Sequence, residues 1–155
     1  MYKKLMVIFL LGALGVGALS AKDLTGRIGI GIEPPKLSFR YWLSGFALDA
    51  QLGILNLVAP EGQDMAVYLG TDFILPLVKE KRMHLSGVAG IEIQNLTGDK
   101  TILIPLCFEA EYFPAGLQNL AFTLKGNIVS ITVSPDVVIN LGFTSFPGFG
   151  FHYYF

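Results

Sequence analysis

Charge is what this chain has least of. Of its 155 residues only 15% are Asp, Glu, Lys or Arg, while 52% are hydrophobic; an average soluble domain is about 25% charged. A formal net charge of −1 supplies no basic surface of the kind nucleic acid demands. Cysteine is nearly absent. Cys107 stands alone, which excludes an internal disulfide and offers no Cys–Cys or Cys–His spacing for a metal. Histidine is scarce, with only His84 and His152. Beyond residue 21, no apolar run approaches the roughly 20 residues of a membrane helix. The remaining chain is therefore too apolar for an ordinary secreted domain, and it has no helix to account for the excess.

The first residues read as an address. "MYKK" is a positively charged start, residues 5–21 carry no charge, and the small residues of "GALSA" precede Lys22 and Asp23. That order is the layout of a secretory signal, with cleavage near Ser20 or Ala21. A retained anchor is the rival reading, but the run is short and interrupted by Gly and Ser. A lipoprotein signal would need a cysteine at the cleavage point. The expected organisation is a signal peptide over residues 1–21 and one domain over residues 22–155. Loss of Lys3 and Lys4 takes the formal charge from −1 to −3.

Alternation explains the apolar excess. In "TGRIGIGI", Ile28, Ile30 and Ile32 share one face while Arg27, Gly29 and Gly31 share the other. "LSFRYWL" sets Leu37, Phe39, Tyr41 and Leu43 against Ser38, Arg40 and Trp42, and "LDAQLGI" sets Leu48, Ala50, Leu52 and Ile54 against Asp49, Gln51 and Gly53. Further on, Val67, Leu69 and Phe73 oppose Tyr68, Gly70 and Asp72, and Ala89, Ile91 and Ile93 oppose Gly90, Glu92 and Gln94. Ile102, Ile104, Leu106, Phe108, Ala110 and Tyr112 face away from Pro105, Cys107, Glu109 and Glu111. Leu120, Phe122 and Leu124 then oppose Ala121, Thr123 and Lys125, and Phe149, Phe151, Tyr153 and Phe155 oppose Gly150, His152 and Tyr154. A period of two is strand, not helix.

Eight such segments predict an all-β, eight-stranded antiparallel up-and-down barrel. Its orientation follows from the two faces. A soluble barrel packs large apolar side chains inside, whereas here the polar face is small and charged and the other is a continuous apolar wall. The expectation is a transmembrane barrel with lipid outside and a lumen holding the charge network Arg27, Arg40, Asp49, Asp72, Glu92, Glu109, Glu111 and Lys125. Residues 129–147 read equally as a strand extension, a loop hairpin or an extra strand pair.

The signal peptide, the repeated alternation, "LSFRYWLS" and the ending "GFGFHYYF" together resemble small bacterial outer-membrane β-barrel proteins of the broad OmpX, OmpW and OmpA-barrel type. The resemblance implies residence in the bacterial outer membrane among its lipids, as a monomer. It also implies that Phe149, Phe151, Tyr153 and Phe155 form the signal read by the barrel assembly machinery. If the first strand starts on the periplasmic side, "SGF", "VKEKR" and "PAGLQN" are periplasmic turns. "EPPK", "APEGQD" and "NLTGDK" then lie at the other end, and aromatics including Tyr41, Phe73, Tyr112 and Tyr153 cluster near the periplasmic rim.

Chemical motifs are few. "HLS", His84 to Ser86, is similar to the His-x-Ser pair of outer-membrane lipid A deacylases, but it falls on lumen parity at the end away from the outer leaflet, where a polar rim pair is the simpler role. Glu109 and Glu111 share a strand face about 6 to 7 Å apart, a spacing a glycosidase could use. Without an open cleft they read as partners for Arg27, Arg40 or Lys125. His152 reads as a structural hydrogen-bonding group and Cys107 as lumen packing. Gly29 and Gly31 do not continue into a nucleotide-binding pattern, and the Asn95-Leu96-Thr97 sequon is an accident of sequence in a bacterial protein. No cofactor or metal is implied. The expected function is a non-enzymatic porin-like barrel with a side-chain-filled lumen, acting in the cell envelope or through its extracellular loops. A narrow channel or a conduit for hydrophobic compounds is the alternative, and a lipid-modifying enzyme follows behind.

Overall fold

The computed structural model describes residues 22–55, 66–96, 100–134, 136–142 and 148–155. The expected signal peptide, "APEGQD" and Thr97 of the sequon lie outside them. The described residues form β1 (Ile28–Glu33), β2 (Lys36–Trp42), β3 (Ala47–Leu55), β4 (Ala66–Lys79), β5 (Met83–Gln94), β6 (Thr101–Tyr112), β7 (Leu120–Ser134), β8 (Val138–Leu141) and β9 (Gly148–Tyr154). Consecutive strands from β1 to β7 pair antiparallel, β7 pairs with β9, and β9 pairs with β1. These eight strands close an antiparallel barrel with no free edge in the ring, as the alternation predicts. β8 is additional. It pairs only with the upper part of β7, Val129↔Leu141 to Thr132↔Val138, so residues 129–142 combine a strand extension with a short hairpin.

Strand lengths are less even than the sequence implies. β1, β2 and β9 have 6, 7 and 7 residues, and β4 to β7 have 12 to 15. The short side has a local cause. Pro34 and Pro35 carry no backbone N–H to extend a ladder, and the β1–β2 pairing ends at Glu33↔Lys36. On the tall side, Pro76 sits beside a bulge where the β4–β5 register slips between Pro76 and Val78. The bulge shifts the parity, so that Leu75, Leu77 and Val78 are all exposed. The strand thus runs on through Lys79, where "VKEKR" had read as turn.

The two faces divide as expected. Ile30, Phe39, Leu52, Leu69, Ile91, Phe108, Phe122 and Phe151 lie on the outside, each about 40% to 50% exposed. Ser38, Arg40, Asp49, Gln51, Asp72, Glu109, Glu111 and His152 are all buried inside. Glycine makes part of this possible. A Cβ on Gly29 would meet the Tyr154 ring and one on Gly31 the His152 ring, so these positions accommodate the inward side chains of β9.

The end bearing residues 43–46, 80–82 and 113–119 is termed the base. Here the chain before β1 folds back across the opening: Gly26 N–H donates to Trp42 O at 2.8 Å and Lys22 N–H to Glu80 O at 3.5 Å. Leu24 is thereby buried with Trp42, Phe113 and Tyr154, an apolar stopper that strand alternation does not reveal.

Candidate functional site

The lumen is organised around one guanidinium. Arg40, on β2, is 0% exposed, because its parity points inward from the middle of a closed wall. Its Nη1 donates to Glu109 Oε1 at 2.7 Å and to Glu111 Oε1 at 3.4 Å. Its Nη2 donates to Asp49 Oδ2 and Glu109 Oε2 at 3.0 Å each, and to Glu33 Oε1 at 3.3 Å. Asp49 arrives by direct cross-strand pairing, Arg40↔Asp49. Glu109 and Glu111 arrive from β6 across the lumen. The planar fork of arginine suits this role, since it offers fixed N–H directions to several carboxylates at once.

Two ammonium groups continue the network away from the base. Lys125 binds Asp72 and approaches Glu33 Oε2 at 4.0 Å, while Gln51 Nε2 donates to Asp72 Oδ2 at 2.5 Å. Lys36 Nζ donates to Tyr68 OH at 2.7 Å, Glu92 Oε1 at 3.2 Å and Gln51 Oε1 at 3.3 Å. Toward the base, Tyr154 OH donates to Glu111 Oε1 and Trp42 Nε1 donates to Tyr154 OH at 3.3 Å. Ser38 Oγ donates to Asp49 Oδ1 at 2.5 Å and lies 2.7 Å from His152 Nε2. The described lumen thus forms a nearly continuous ladder of polar contacts from Trp42 to Glu92, with three cations, Arg40, Lys36 and Lys125, among six carboxylates.

Of the residues assigned to this network from sequence, Arg40, Asp49, Asp72, Glu92, Glu109, Glu111 and Lys125 face the lumen and pair there. Arg27 does not join them. It precedes β1 at the base, and its Nη1 donates to Asn119 Oδ1 at 3.1 Å. Glu92 is held by Lys36. Glu33 and Lys36 also join the network: both flank the Pro-Pro turn, where strand alternation is interrupted, yet the parity that points Gly31 and Ser38 inward points these two inward as well.

The remaining candidates are enclosed by their neighbours. His84 is buried, edge-on to Trp42 and Phe113 with ring centroids 5.7 Å and 5.3 Å away, and its Nδ1 lies 3.7 Å from Glu111 Oε2. Ser86 is buried on the same face, opposite Glu109. Glu109 and Glu111 share Arg40 Nη1. Cys107 Sγ lies 2.8 Å from Asn127 Oδ1. Glu33, Asp49 and His152 bring ligand atoms within 4.8 Å of one another, but Arg40 Nη2 already bonds both carboxylates, so a metal ion there would have to displace the guanidinium. Phe149, Phe151, Tyr153 and Phe155 line up on the outer face, all exposed.

Compared with known proteins, the chain matches no family model, no curated protein and no solved structure.

Proposed function

We propose that the chain is a non-enzymatic integral β-barrel of the bacterial outer membrane, with a lumen plugged by its own side chains and its role exerted on the envelope or through the connections opposite the base. One observation carries the reading: the barrel is inverted, with charge and hydroxyl groups inside and isoleucine, leucine and phenylalanine outside. Water penalises so large and continuous an apolar surface, and hydrocarbon does not. A closed barrel is also the only β-structure that leaves no unpaired backbone in lipid. The plug favours a structural role over a channel, because the ladder around Arg40 and the stopper of Leu24, Trp42, Phe113 and Tyr154 occupy the route a solute would take. The outward column of Phe149, Phe151, Tyr153 and Phe155 fits a segment read by an assembly machinery.

Expression in a bacterium with two membranes tests location and assembly together. The folded chain is expected in the outer-membrane fraction, and Phe155→Asp should lower that amount far more than Leu141→Asp, on the short β8. Recovery of a folded chain in the soluble fraction would overturn the reading.

A further inference from the structure

Among the described residues, positive charge predominates on the outside of the base. Lys22, Arg27, Lys79, Lys81 and Arg82 stand around it with only two carboxylates, Asp23 and Glu80, and Asp23 Oδ1 is turned back to accept the Thr25 N–H at 2.9 Å. A groove of about 420 Å³ crosses this surface, walled by Lys22, Lys81, Arg82, Phe113 and Gln118. At its inner end the Lys22 ammonium lies 3.8 Å from the centroid of the Phe113 ring. That nitrogen is shielded from water and has no hydrogen-bond partner among the described residues. Burial, and then the charge of Arg27, hold its pKa below the ordinary lysine value, with Glu111 opposing. A shielded ammonium without an acceptor is costly, and two exposed cations share its groove. The missing complement is an anion with several acceptor oxygens.

We infer that this groove binds the phosphate of an anionic lipid headgroup, with Lys81 and Arg82 at the mouth and with Lys22 at the inner end, its ammonium turning from the Phe113 ring toward the phosphate on binding. A lipid fits better than a free anion because the segments that line the groove run directly into outward apolar side chains, with exposed Leu117 between Gly116 and Gln118. β4 presents exposed Leu77 and Val78 just before Lys79. β6 ends at exposed Tyr112, and the next residue, Phe113, donates its N–H to Arg82 O at 2.8 Å. A phosphate in the groove would therefore place acyl chains against apolar side chains. The inference rests on the membrane reading above and adds a ligand to it.

Native mass spectrometry of the refolded protein in neutral detergent tests the site, with phosphatidylglycerol, phosphatidylcholine of the same chains and inorganic phosphate as probes. Phosphatidylglycerol should be retained in preference to phosphatidylcholine. The double variant Lys81→Ala/Arg82→Ala should weaken its retention about thirtyfold, the loss expected for two basic groups facing an anionic surface. Lys22→Gln, which keeps most of the stem over Phe113, should weaken it as well. Equal retention of the two lipids, or no change in the double variant, overturns the site. Displacement of the lipid by an equal concentration of inorganic phosphate overturns the lipid assignment. Insertion of each variant into neutral vesicles, followed by heat-modifiable gel mobility, separates the two claims. Wild-type insertion without lipid preference sinks the site alone, whereas failure of the wild type to insert sinks both, and a double variant that loses retention only by failing to insert is replaced by Lys81→Gln, which must then weaken retention for the site to stand.

Discussion

Arg40 is surrounded by Glu33, Asp49, Glu109 and Glu111, and those carboxylates come from β1, β3 and β6. The guanidinium holds opposite walls of the barrel together as well as balancing charge. Removing one partner of a buried pair leaves an uncompensated charge, at a cost of about 3 to 5 kcal/mol. Arg40→Met, which retains volume but no charge, is expected to lose that much in urea unfolding from lipid vesicles. Arg40→Lys should fall between Met and wild type, since one ammonium cannot reproduce the fork. A neutral effect of Arg40→Met would mean that water, not Arg40, solvates the carboxylates. The same scale supplies a reporter. Trp42 is the single tryptophan and lies buried in the base stopper, so its emission should be blue-shifted and shielded from iodide in the folded barrel.

At the scale of the strand, each element does two jobs set by parity. On β3, Leu52 is 46% exposed on the outer wall, next to Gln51, which is buried and bonded to Asp72. On the proposed membrane reading, Leu52→Arg should destabilise the barrel in vesicles by about 2 to 4 kcal/mol, the cost of a cation at mid-depth on a lipid-facing strand. Gln94→Arg, near Glu92 on the lumen parity of β5, should cost less. Urea titrations giving the reverse order would invert the assignment of faces. Prolines at two places limit how far alternation can be read. Pro34 and Pro35 stop the β1–β2 ladder early, and the bulge beside Pro76 flips the parity of β4, so that Val78 faces outward although its number alone puts it with Ile74 inside.

For the whole molecule, closure and filling decide behaviour. Eight strands enclose an interior that side chains can just fill, and here Gly29 and Gly31 make room for Tyr154 and His152 while Leu24 and Phe113 cover the base. Planar-bilayer recordings of the refolded protein are expected to show no stable stepwise conductance. Reproducible steps abolished by bulky substitution in the lumen would replace the plug with a channel. Deleting the stopper through Leu24→Gly alone should not open a pore, because the Arg40 ladder lies behind it.

By itself, the sequence determined the inside and outside of this protein. The pleat sends alternate side chains to opposite faces, a local rule, so Arg40, Asp49 and Glu109 were assignable to one interior and Leu52, Phe108 and Phe151 to one exterior without knowing any strand's neighbour. The same rule extends to Glu33 and Lys36 once the Pro-Pro turn is counted as two residues. Partners were not legible. That Arg40 meets Glu109, 69 residues away, that Glu92 belongs to Lys36, and that Arg27 is left at the rim with Asn119 all depend on register and on ring closure, which bring β2 across the lumen from β6. Nor did any periodic signal mark residues 22–27 as a cover for the base, because that segment is held by burial of Leu24 and by backbone bonds to Trp42 and Glu80. Alternation is a property of single strands, while pairing, plugging and capping exist only after eight of them have closed.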